Sequence, residues 1–435
     1  MRQAIRTCLI GLTLAAAAAA EDWPRWRGPR GDGTWAGPKL PAKWPEGGLR
    51  TVWKQPIGGG YAGVTVAGGR VYTMDLEKPS DANAPKDQPD GHERVLCFDA
   101  ATGRPLWSHR YPVRYGGLGG YGNGPRAAPT YHDGRLYTLG AVGHVFCFDA
   151  KTGEVLWAKD MVREFDARVP EWGFAASPVI DGDRVLIHAG ARPDGSLMAF
   201  DRRTGEEVWR SLPDPAGYCT PVVIDAPSGR QVVIWTPENV RGVEAATGKL
   251  LWTVPYKVTY GVSIATPIYR EGIVFVTGYW EGSKAIRLGE APTDAEVIWE
   301  NTRELRGLMA QPLYRDGYVY SIDKGNGLTC FELKTGRKLW DDDNAMTPRG
   351  RNPHASFVWA GDGDRILSLN ADGELILARL SPEGYAEQSR TKVLSGQVWS
   401  HPAFAGRFLF ARTDGAHRWR GAGPLELVCV ELAGE

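Results

Sequence analysis

The sequence has no excess of charge of either sign. Its 51 Lys and Arg residues balance its 51 Asp and Glu residues, so the formal net charge at neutral pH is zero. Proteins that bind nucleic acid need a basic surface, because much of their binding free energy comes from contacts with phosphates. The charge balance therefore gives no support to a nucleic-acid partner.

Long apolar runs are missing after the first residues of the chain. Arg2 and Arg6 precede an apolar run over residues 8–20, which ends in an alanine tract. A positive start, a short apolar stretch and small residues are typical of a cleaved secretory signal. No later segment is apolar over the roughly 20 residues that a membrane helix needs. We therefore predict a signal peptide over residues 1–20 and a periplasmic or secreted protein with no membrane span.

Motifs that carry familiar chemistry are also missing. The eight histidines are spread along the chain without the H-x-H or H-E-x-x-H spacing that holds a metal ion. The sequence contains no G-x-S-x-G nucleophile elbow and no phosphate-binding loop. We therefore predict no metal site and assign no catalytic residue.

The few cysteines do not indicate a disulfide framework. Five of the six lie after the predicted signal, and four of these occupy the same place in a repeated motif: Cys97, Cys147, Cys330 and Cys429. Equivalent positions in separate repeats of a fold lie too far apart for a disulfide bond. We predict that these cysteines are free and buried.

The sequence does contain a repeat that ends in tryptophan. "FDAKTGEVLW" (148–157) recurs as "FDAATGRPLW", "FDRRTGEEVW", "VEAATGKLLW" and "FELKTGRKLW", each with the Trp four residues after the Thr-Gly glycine. An Asp before such a turn accepts hydrogen bonds from the turn backbone, and the Gly supplies a positive φ. The Trp then lies on the following strand, where it can be buried between neighbouring sheets. The motif predicts a hairpin between strands three and four of a repeated sheet.

Two markers count the repeats. The small residue that stands five positions before the Thr of the motif recurs at Cys97, Cys147, Ala199, Gly242, Ala285, Cys330, Ala378 and Cys429, although units five, seven and eight lack the Thr-Gly itself. A glycine that opens the preceding strand recurs at Gly69, Gly134, Gly182, Gly229, Gly272, Gly317, Gly363 and Gly406. Strand-forming residues come in short runs between turn residues, without a long stretch of helical periodicity. We predict an all-β, eight-bladed β-propeller of four-stranded antiparallel blades.

The two ends of the repeat region complement each other. The eighth unit stops after three strands, whereas residues 49–57 form an orphan strand that carries Trp53. We predict that this N-terminal strand pairs into the last blade and closes the ring, because closure removes two exposed sheet edges. The propeller is thus placed over residues 49–435. Residues 21–48 contain four Trp among many Pro and Gly, and they predict a strap without regular structure that packs on the propeller.

The repeated string A-x-D-x-x-T-G-x-x-x-W resembles the repeat of the PQQ-like β-propeller family, and the resemblance covers about residues 49 to 435. Residues 22–33 are similar to the start of many exported bacterial members of that family. The quinoprotein dehydrogenases of this family imply PQQ with Ca²⁺ over the propeller axis. The propeller of the outer-membrane β-barrel assembly machine implies a non-catalytic role. The chain has neither an adjacent cysteine pair nor a matching catalytic Asp, so no catalytic residue is carried over from the resemblance.

Candidate binding residues lie where the chain leads into the first strand of each blade, which is expected at the mouth of the central channel. A further group lies on residues 413–426, which with residues 76–93 form two long connections between strands two and three. The predicted binding face consists of Tyr61, Tyr121, Asn123, Arg126, Trp172, Tyr218, Tyr260, Gln311, Arg351, His354, Trp399, His401, Arg418 and Trp419. Packing between blades near the axis is the alternative role for any one of them.

These features predict an exported, non-catalytic binding or scaffold propeller that presents a ligand-binding or protein-binding face at the channel mouth. The expected partner of this monomer is a protein segment or a small polar ligand, and no cofactor is expected. The alternative is a PQQ-dependent oxidoreductase with Ca²⁺ that acts on alcohols or sugars, which two or more converging Asp, Glu or Asn side chains would favour. A third alternative is hydrolase or lyase activity on polysaccharide, which needs a His close to an Asp, Glu or Tyr.

Overall fold

The structure is a computed structural model that describes residues 21–78, 90–116, 118, 124–307, 309–350, 352–415 and 423–433. The predicted signal peptide lies outside this part of the chain. Helical structure is limited to α1 (Met161–Phe165) and a 3-10 turn (Thr259–Gly261) in the described residues. Neither has the length and hydropathy that a membrane-crossing helix requires.

Eight antiparallel sheets form the blades of a β-propeller, as the repeats predict. Two strands precede the first blade: β1 Thr34–Trp35 and β2 Thr51–Pro56. Blades one to four consist of β3 Thr65–Ala67, β4 Arg70–Glu77, β5 Gly91–Asp99, β6 Pro105–Val113; β7 Thr130–His132, β8 Arg135–Leu139, β9 His144–Asp149, β10 Val155–Asp160; β11 Val179–Asp181, β12 Arg184–Ala191, β13 Gly195–Asp201, β14 Glu207–Ser211; β15 Val222–Ala226, β16 Gly229–Trp235, β17 Asn239–Glu244, β18 Leu250–Pro255. Blades five to eight consist of β19 Ile268–Arg270, β20 Ile273–Gly278, β21 Gly282–Leu288, β22 Ala295–Asn301; β23 Leu313–Arg315, β24 Tyr318–Asp323, β25 Gly327–Glu332, β26 Lys338–Asp341; β27 Ala355–Ala360, β28 Arg365–Asn370, β29 Glu374–Ser381, β30 Gly384–Lys392; β31 Ala403–Ala405, β32 Phe408–Arg412, β33 Glu426–Glu431 and β2.

The ring closes through the N-terminal strand, as predicted. Strand β2 pairs antiparallel with β33, with Trp53 opposite Cys429 and Pro56 opposite Glu426. The last blade therefore takes its fourth strand from the start of the propeller.

The repeated Trp and the repeated Thr-Gly turn lock adjacent blades together. The indoles of five of these Trp residues pack on the turn glycine of the next blade, where an added Cβ would lie within 2.7 Å of the ring. The pairs are Trp53 with Gly103, Trp107 with Gly153, Trp157 with Gly205, Trp209 with Gly248, and Trp299 with Gly336. Several of these indole N–H groups also donate to a turn carbonyl, such as that of Ala150 for Trp107 at 3.2 Å. The turn glycine thus serves contact between blades as well as the hairpin.

The small marker residues stand directly opposite these Trp residues within each blade. Cys97 pairs with Trp107, and Cys147 pairs with Trp157. In blade four the indole occupies the space of the missing Cβ, because a Cβ on Gly242 would lie 2.1 Å from the Trp252 Nε1 atom. The cysteines at these positions are free and buried, as predicted, and so is Cys219.

The strap over residues 21–48 differs from its prediction in one respect, since part of it is a strand. Strand β1 adds in parallel to β27 and makes the sheet of blade seven five-stranded. Before that, Trp23 exchanges two backbone hydrogen bonds with Val66 of blade one. Farther along, the Arg27 guanidinium donates to the Pro312 carbonyl, which immediately precedes blade six, at 2.6 Å. Contacts on opposite sides of the ring mean that the strap crosses the axial channel.

The predicted connection over residues 76–93 is shorter than the sequence suggested. Glu77 pairs with His92, so that β4 and β5 continue into the predicted loop as a hairpin. The middle of this connection, residues 79–89, lies outside the described residues, as do residues 416–422 of the other long connection.

Candidate functional site

A cavity of about 480 Å³ lies on the propeller axis, where the segments that lead into the first strands converge. Every blade contributes to its wall. The described candidate residues all line it, namely Tyr61, Arg126, Trp172, Tyr218, Tyr260, Gln311, His354, Trp399 and His401. The other candidates lie outside the described residues, namely Tyr121, Asn123, Arg351, Arg418 and Trp419.

The wall also contains residues that the sequence reasoning did not assign to it, above all Trp26, Tyr279 and Trp280. Tyr279 and Trp280 lie between strands two and three of blade five, the kind of connection expected on this face. Because aromatic residues on such a connection are candidates for a binding face, the sequence could have identified both of them. Trp26 comes from the strap, and nothing near it in sequence marks it as a channel residue.

The floor of the cavity is formed by Trp26. Its indole N–H donates to the Thr266 hydroxyl at 2.9 Å, and its ring centroid lies 4.8 Å from that of His401. These two contacts hold the indole between blades five and eight. The strap therefore contributes one side chain to the wall of the cavity.

Aromatic rings line the side of blades three to five. Trp172 packs against Tyr218 with ring centroids 5.9 Å apart, and Trp280 packs edge-on against Tyr260 at 5.4 Å. Tyr260 and Trp280 are 66% and 40% exposed, so they form an aromatic lip at the outer end of the cavity. Large exposed aromatic area at a concave site is typical of binding surfaces.

The lip holds a strained residue. Tyr260 has φ 57° and ψ 14°, in the left-handed region that a bulky side chain rarely adopts. The adjacent Thr259 backbone N–H donates to the Glu281 carboxylate at 2.8 Å, and the Thr259 hydroxyl donates to the same oxygen at 2.5 Å. These bonds tie the turn to blade five and hold the Tyr260 phenol at the lip.

Two buried histidines, His354 and His401, lie on the side of blades seven and eight. The pKa of His354 is lowered to about 3, mainly by burial and also by the nearby His401, against a smaller opposite effect of the Trp399 backbone. Burial also lowers the pKa of His401 to about 4. Both imidazoles are therefore neutral at physiological pH.

His354 differs from His401 in its hydrogen bonding. The Nδ1 of His401 lies 3.1 Å from the Pro402 carbonyl, so this nitrogen carries the proton and donates. His354 is 5% exposed, both of its ring nitrogens are buried, and its interaction with the Trp399 backbone favours the protonated ring.

Among the described residues of the cavity wall, Arg126 is the cation. Its guanidinium lies over the Tyr61 ring, 5.4 Å from the centroid, and donates to the Gly124 carbonyl. Burial lowers the pKa of Arg126, whereas Tyr61, Tyr115 and the buried carboxyl of Glu93 oppose this effect.

Glu93 lies behind this wall and is fully buried. It accepts hydrogen bonds from the Tyr111 hydroxyl at 2.6 Å, the Tyr115 hydroxyl at 3.0 Å and the Ala141 backbone N–H at 3.0 Å. Burial raises the pKa of this carboxyl, and the three donated bonds oppose that rise. These three hydrogen bonds favour the charged form of the Glu93 carboxyl, and so does the nearby Arg126.

The wall segment that carries Tyr218 is held by a third buried histidine. The Gly217 backbone N–H donates to Nε2 of His188 at 3.0 Å, so the proton resides on Nδ1, which lies 3.2 Å from the Cys219 carbonyl. Burial lowers the pKa of His188 from 6.5 to about 4. The neutral ring thus clamps the backbone on both sides of Tyr218.

Acidification should weaken the fold through His188. Because its folded pKa is depressed, the unfolded chain binds this proton more readily, and stability is lost as the pH falls from 6.5 towards 4. We expect a loss of about 2 kcal/mol between pH 7.5 and about pH 5 from this residue. Urea unfolding of wild type and His188→Gln at both pH values measures it.

The comparison of the two proteins isolates His188. Buried Asp414, whose pKa is raised to about 7, gives an opposite pH dependence, but it is common to both proteins and cancels in the difference. We expect His188→Gln to lose about 2 kcal/mol less stability than the wild type between pH 7.5 and about pH 5. An identical pH dependence in both proteins would contradict the prediction.

The wall does not fit the PQQ and Ca²⁺ pair of quinoproteins. Ca²⁺ takes about six to eight oxygen ligands, several of them carboxylates. Among the described lining residues, Glu171 supplies the one carboxylate, and the amide oxygen of Gln311 already accepts from the Thr266 backbone N–H at 2.7 Å. No group of three His, Cys, Asp or Glu side chains in the described chain is placed to hold a metal ion.

Comparison with known proteins places the fold in a family. The family model described as outer membrane protein assembly factor BamB matches residues 91–342 and 236–382, which together exceed half of the chain. The outer membrane protein assembly factor BamB of Bordetella pertussis is 28% identical over 185 residues. That match spans 41% of this chain and 43% of the relative, so the chain matches less than half of the relative's length.

Solved structures with the same fold include a dehydrogenase and an assembly factor. A quinohemoprotein alcohol dehydrogenase from Comamonas testosteroni superposes with a TM-score of 0.65 at 13% identity, over 95% of this chain and 81% of that one. BamB from Moraxella catarrhalis superposes with a TM-score of 0.54 at 15% identity, over 88% of this chain and 99% of that one. At such identities the likeness concerns the fold alone.

Proposed function

The chain belongs to the PQQ-like propeller family described as outer membrane protein assembly factor BamB, and from that premise we propose that it is an exported, monomeric binding propeller. In this proposal the axial cavity receives a small polar ligand or a side chain of a protein segment, and no chemistry follows. Export is supported by the signal-like residues 1–20 and by the name of the Bordetella pertussis relative.

One observation carries the proposal, namely the convergence of all eight blades on a single axial cavity to which the strap adds Trp26. Its wall combines large aromatic side chains with a few polar groups, which is the usual composition of a ligand site. Packing between blades would explain buried aromatic residues, but it does not explain why Tyr260 and Trp280 are 66% and 40% exposed beside the cavity.

The oxidoreductase alternative receives less support from the same wall. A quinone ring could stack on the aromatic residues, but the ligands for its cation are too few, as described above. We therefore derive no catalytic step. The hydrolase or lyase alternative also lacks support, because among the described residues neither cavity histidine is hydrogen-bonded to a carboxylate or a tyrosine hydroxyl.

Binding can be tested with four soluble probes of different chemistry. These are maltotriose, choline, N-acetyltryptophanamide, and PQQ with Ca²⁺, followed by saturation-transfer NMR and calorimetry. We expect at least one probe to bind with a Kd below about 1 mM, because a preformed aromatic cavity needs little rearrangement. Ala175→Trp places an indole in the cavity and should abolish that binding.

Ala101→Trp is the matched control, since Ala101 is exposed on the turn of blade one. It should bind the same probe as the wild type. Absence of binding for all four probes, or binding that persists in Ala175→Trp, would contradict the proposed function. Turnover of ethanol or glucose with PQQ, Ca²⁺ and an electron-accepting dye would favour the oxidoreductase instead.

A further inference from the structure

A buried carboxylate lies directly behind the cavity wall, at the seam where the last blade meets the first. We propose that Asp414 is a positioning residue for the cavity: its ionised carboxylate holds the backbone of Trp399 in place, and uptake of a proton by this carboxylate weakens binding in the cavity. The inference rests on the proposed function and adds the regulation of that site by pH.

The carboxylate of Asp414 binds the backbone of a wall segment with both of its oxygens. Asp414 is 5% exposed, its Oδ2 accepts from the Trp399 backbone N–H, and its Oδ1 accepts from the Ser400 backbone N–H at 3.1 Å. Trp399 lines the cavity, and so does His401, which follows Ser400. Two donors from consecutive residues on one carboxylate fix the orientation of the peptide between them. The position of the Trp399 side chain at the wall therefore depends on this carboxylate.

The backbone of Asp414 connects the same segment to the chain that leads into blade one. Its carbonyl accepts from the Gly60 backbone N–H at 3.0 Å, and its own N–H donates to the Gln397 carbonyl at 3.1 Å. Gly60 precedes Tyr61, whose ring centroid lies 6.1 Å from that of Trp399. Asp414 thus supports two neighbouring aromatic side chains of the wall, one from each side of the ring closure.

Charged side chains from β32, β4 and β5 surround this carboxylate among the described residues. Arg412 is 1% exposed and donates to the Met74 carbonyl, and its positive charge favours the ionised form of Asp414. Asp75 acts on Arg412 from blade one, but it is itself paired with Arg94 at 2.7 Å. Because Arg94 compensates the charge of Asp75, Arg412 can stabilise the carboxylate of Asp414.

Opposed effects bring the two forms of this carboxyl close in free energy near neutral pH. Burial raises the pKa of Asp414 to about 7, although Arg412 and the two backbone N–H donors oppose that rise. The two histidines of the wall do not titrate in this range, because the pKa of His354 is about 3 and that of His401 is about 4. A change of pH around 7 therefore acts on the wall through Asp414.

A proton on Asp414 must occupy an oxygen that already accepts a backbone hydrogen bond. That oxygen becomes a weaker acceptor, and its O–H group needs an acceptor of its own. The bond to Trp399 or to Ser400 is therefore weakened, and the wall segment loses its fixed position. If only the ionised form binds, the competent fraction falls from about nine tenths at pH 8 to about one tenth at pH 6, so the apparent Kd rises by up to about tenfold.

The hydrogen bond can be followed by NMR without a ligand, in the mature protein labelled with ¹⁵N-tryptophan. The backbone N–H signal of Trp399 is assigned by its loss in Trp399→Phe. We expect its proton shift to titrate with an apparent pKa of about 7 and to move upfield on acidification, because a bond to a neutral carboxyl is weaker than one to a carboxylate.

Two variants assign the titration to Asp414. The Trp399 signal should not titrate in Asp414→Asn, and it should titrate as in the wild type in Asp362→Asn, which changes an exposed turn of blade seven. A wild-type signal that stays constant from about pH 5.5 to about pH 8.5, or one that titrates equally in Asp414→Asn, would overturn the positioning role.

Calorimetry with maltotriose and N-acetyltryptophanamide tests the regulation, since neither probe changes its charge between about pH 6 and about pH 8. A probe that binds should have a Kd about three- to tenfold higher at pH 6 than at pH 8. In Asp414→Asn the two Kd values should agree to within about twofold, because the titrating group is gone. Asp362→Asn should keep the dependence of the wild type.

The outcomes separate this inference from the proposed function. Binding that is independent of pH in the wild type would overturn the regulation and leave the binding function standing. Binding that depends on pH equally in Asp414→Asn would overturn the assignment to this carboxylate. If no probe of any class binds, the proposed function fails and the regulation fails with it, whereas the NMR titration still confirms or overturns the positioning of Trp399.

Discussion

Replacing Trp53 with alanine is expected to lower the free energy of unfolding by about 4 kcal/mol. Trp53 is 8% exposed on the strand that closes the ring. Its indole covers Gly103 of blade one, and its N–H donates to the Ala100 carbonyl at 2.9 Å. The substitution removes the contact by which the last blade adheres to the first. Urea unfolding followed by circular dichroism measures the loss.

Trp157→Ala is the matched control within the ring. Trp157 is also 8% exposed, covers Gly205 of the next blade and donates to the Arg202 carbonyl at 3.2 Å. If the closing strand contributes like any other fourth strand, both variants should lose the same stability to within about 1 kcal/mol. A loss below about 1 kcal/mol for Trp53→Ala alone would mean that closure contributes little.

Gly153→Ala should destabilise the protein by about 3 kcal/mol, which combines two costs. The residue has φ 77°, a conformation that costs an alanine about 1–2 kcal/mol. The added Cβ would also lie 2.6 Å from the Trp107 ring of the preceding blade, and such overpacking costs about 1–3 kcal/mol. Differential scanning calorimetry and urea unfolding measure the total.

Gly134→Ala in the same blade separates the two costs. Gly134 has φ 74°, but nothing lies within 4 Å of a Cβ built there. This variant should show the backbone cost alone, about 1–2 kcal/mol. Equal losses in both variants would show that the Thr-Gly glycine serves only the turn, and that the Trp of the neighbouring blade yields to an added methyl group.

The blades were predictable because their rules are local. Asp149 accepts from the Lys151 and Thr152 backbone N–H groups, and Gly153 supplies the positive φ, all within a few residues. Cross-strand pairs such as Cys147 with Trp157 join neighbouring strands of one hairpin. Contacts between consecutive repeats then follow from the repetition itself, as in other repeat architectures.

The site was predictable in part. Residues that lead into strand one must converge at the axis of any propeller, so Trp172, Tyr218 and His354 were located by counting. The sequence also indicated that the connections between strands two and three share this face, and Trp280 lies on one of them. Which of these residues pack on one another, and which remain exposed, depends on the distance between blades and was not contained in the pattern.

The sequence by itself determined the number of blades, the order of strands and the closing strand, because each follows from turn chemistry, spacing and the pairing of neighbours. Only the tertiary structure decided that Trp26 forms the cavity floor, since it donates to Thr266, 240 positions away in the chain. The same holds for His354, whose burial and interaction with His401 of the next blade depend on how the blades pack. Hydrogen-bond partners at the axis come from several blades at once, and no local pattern records which of them meet.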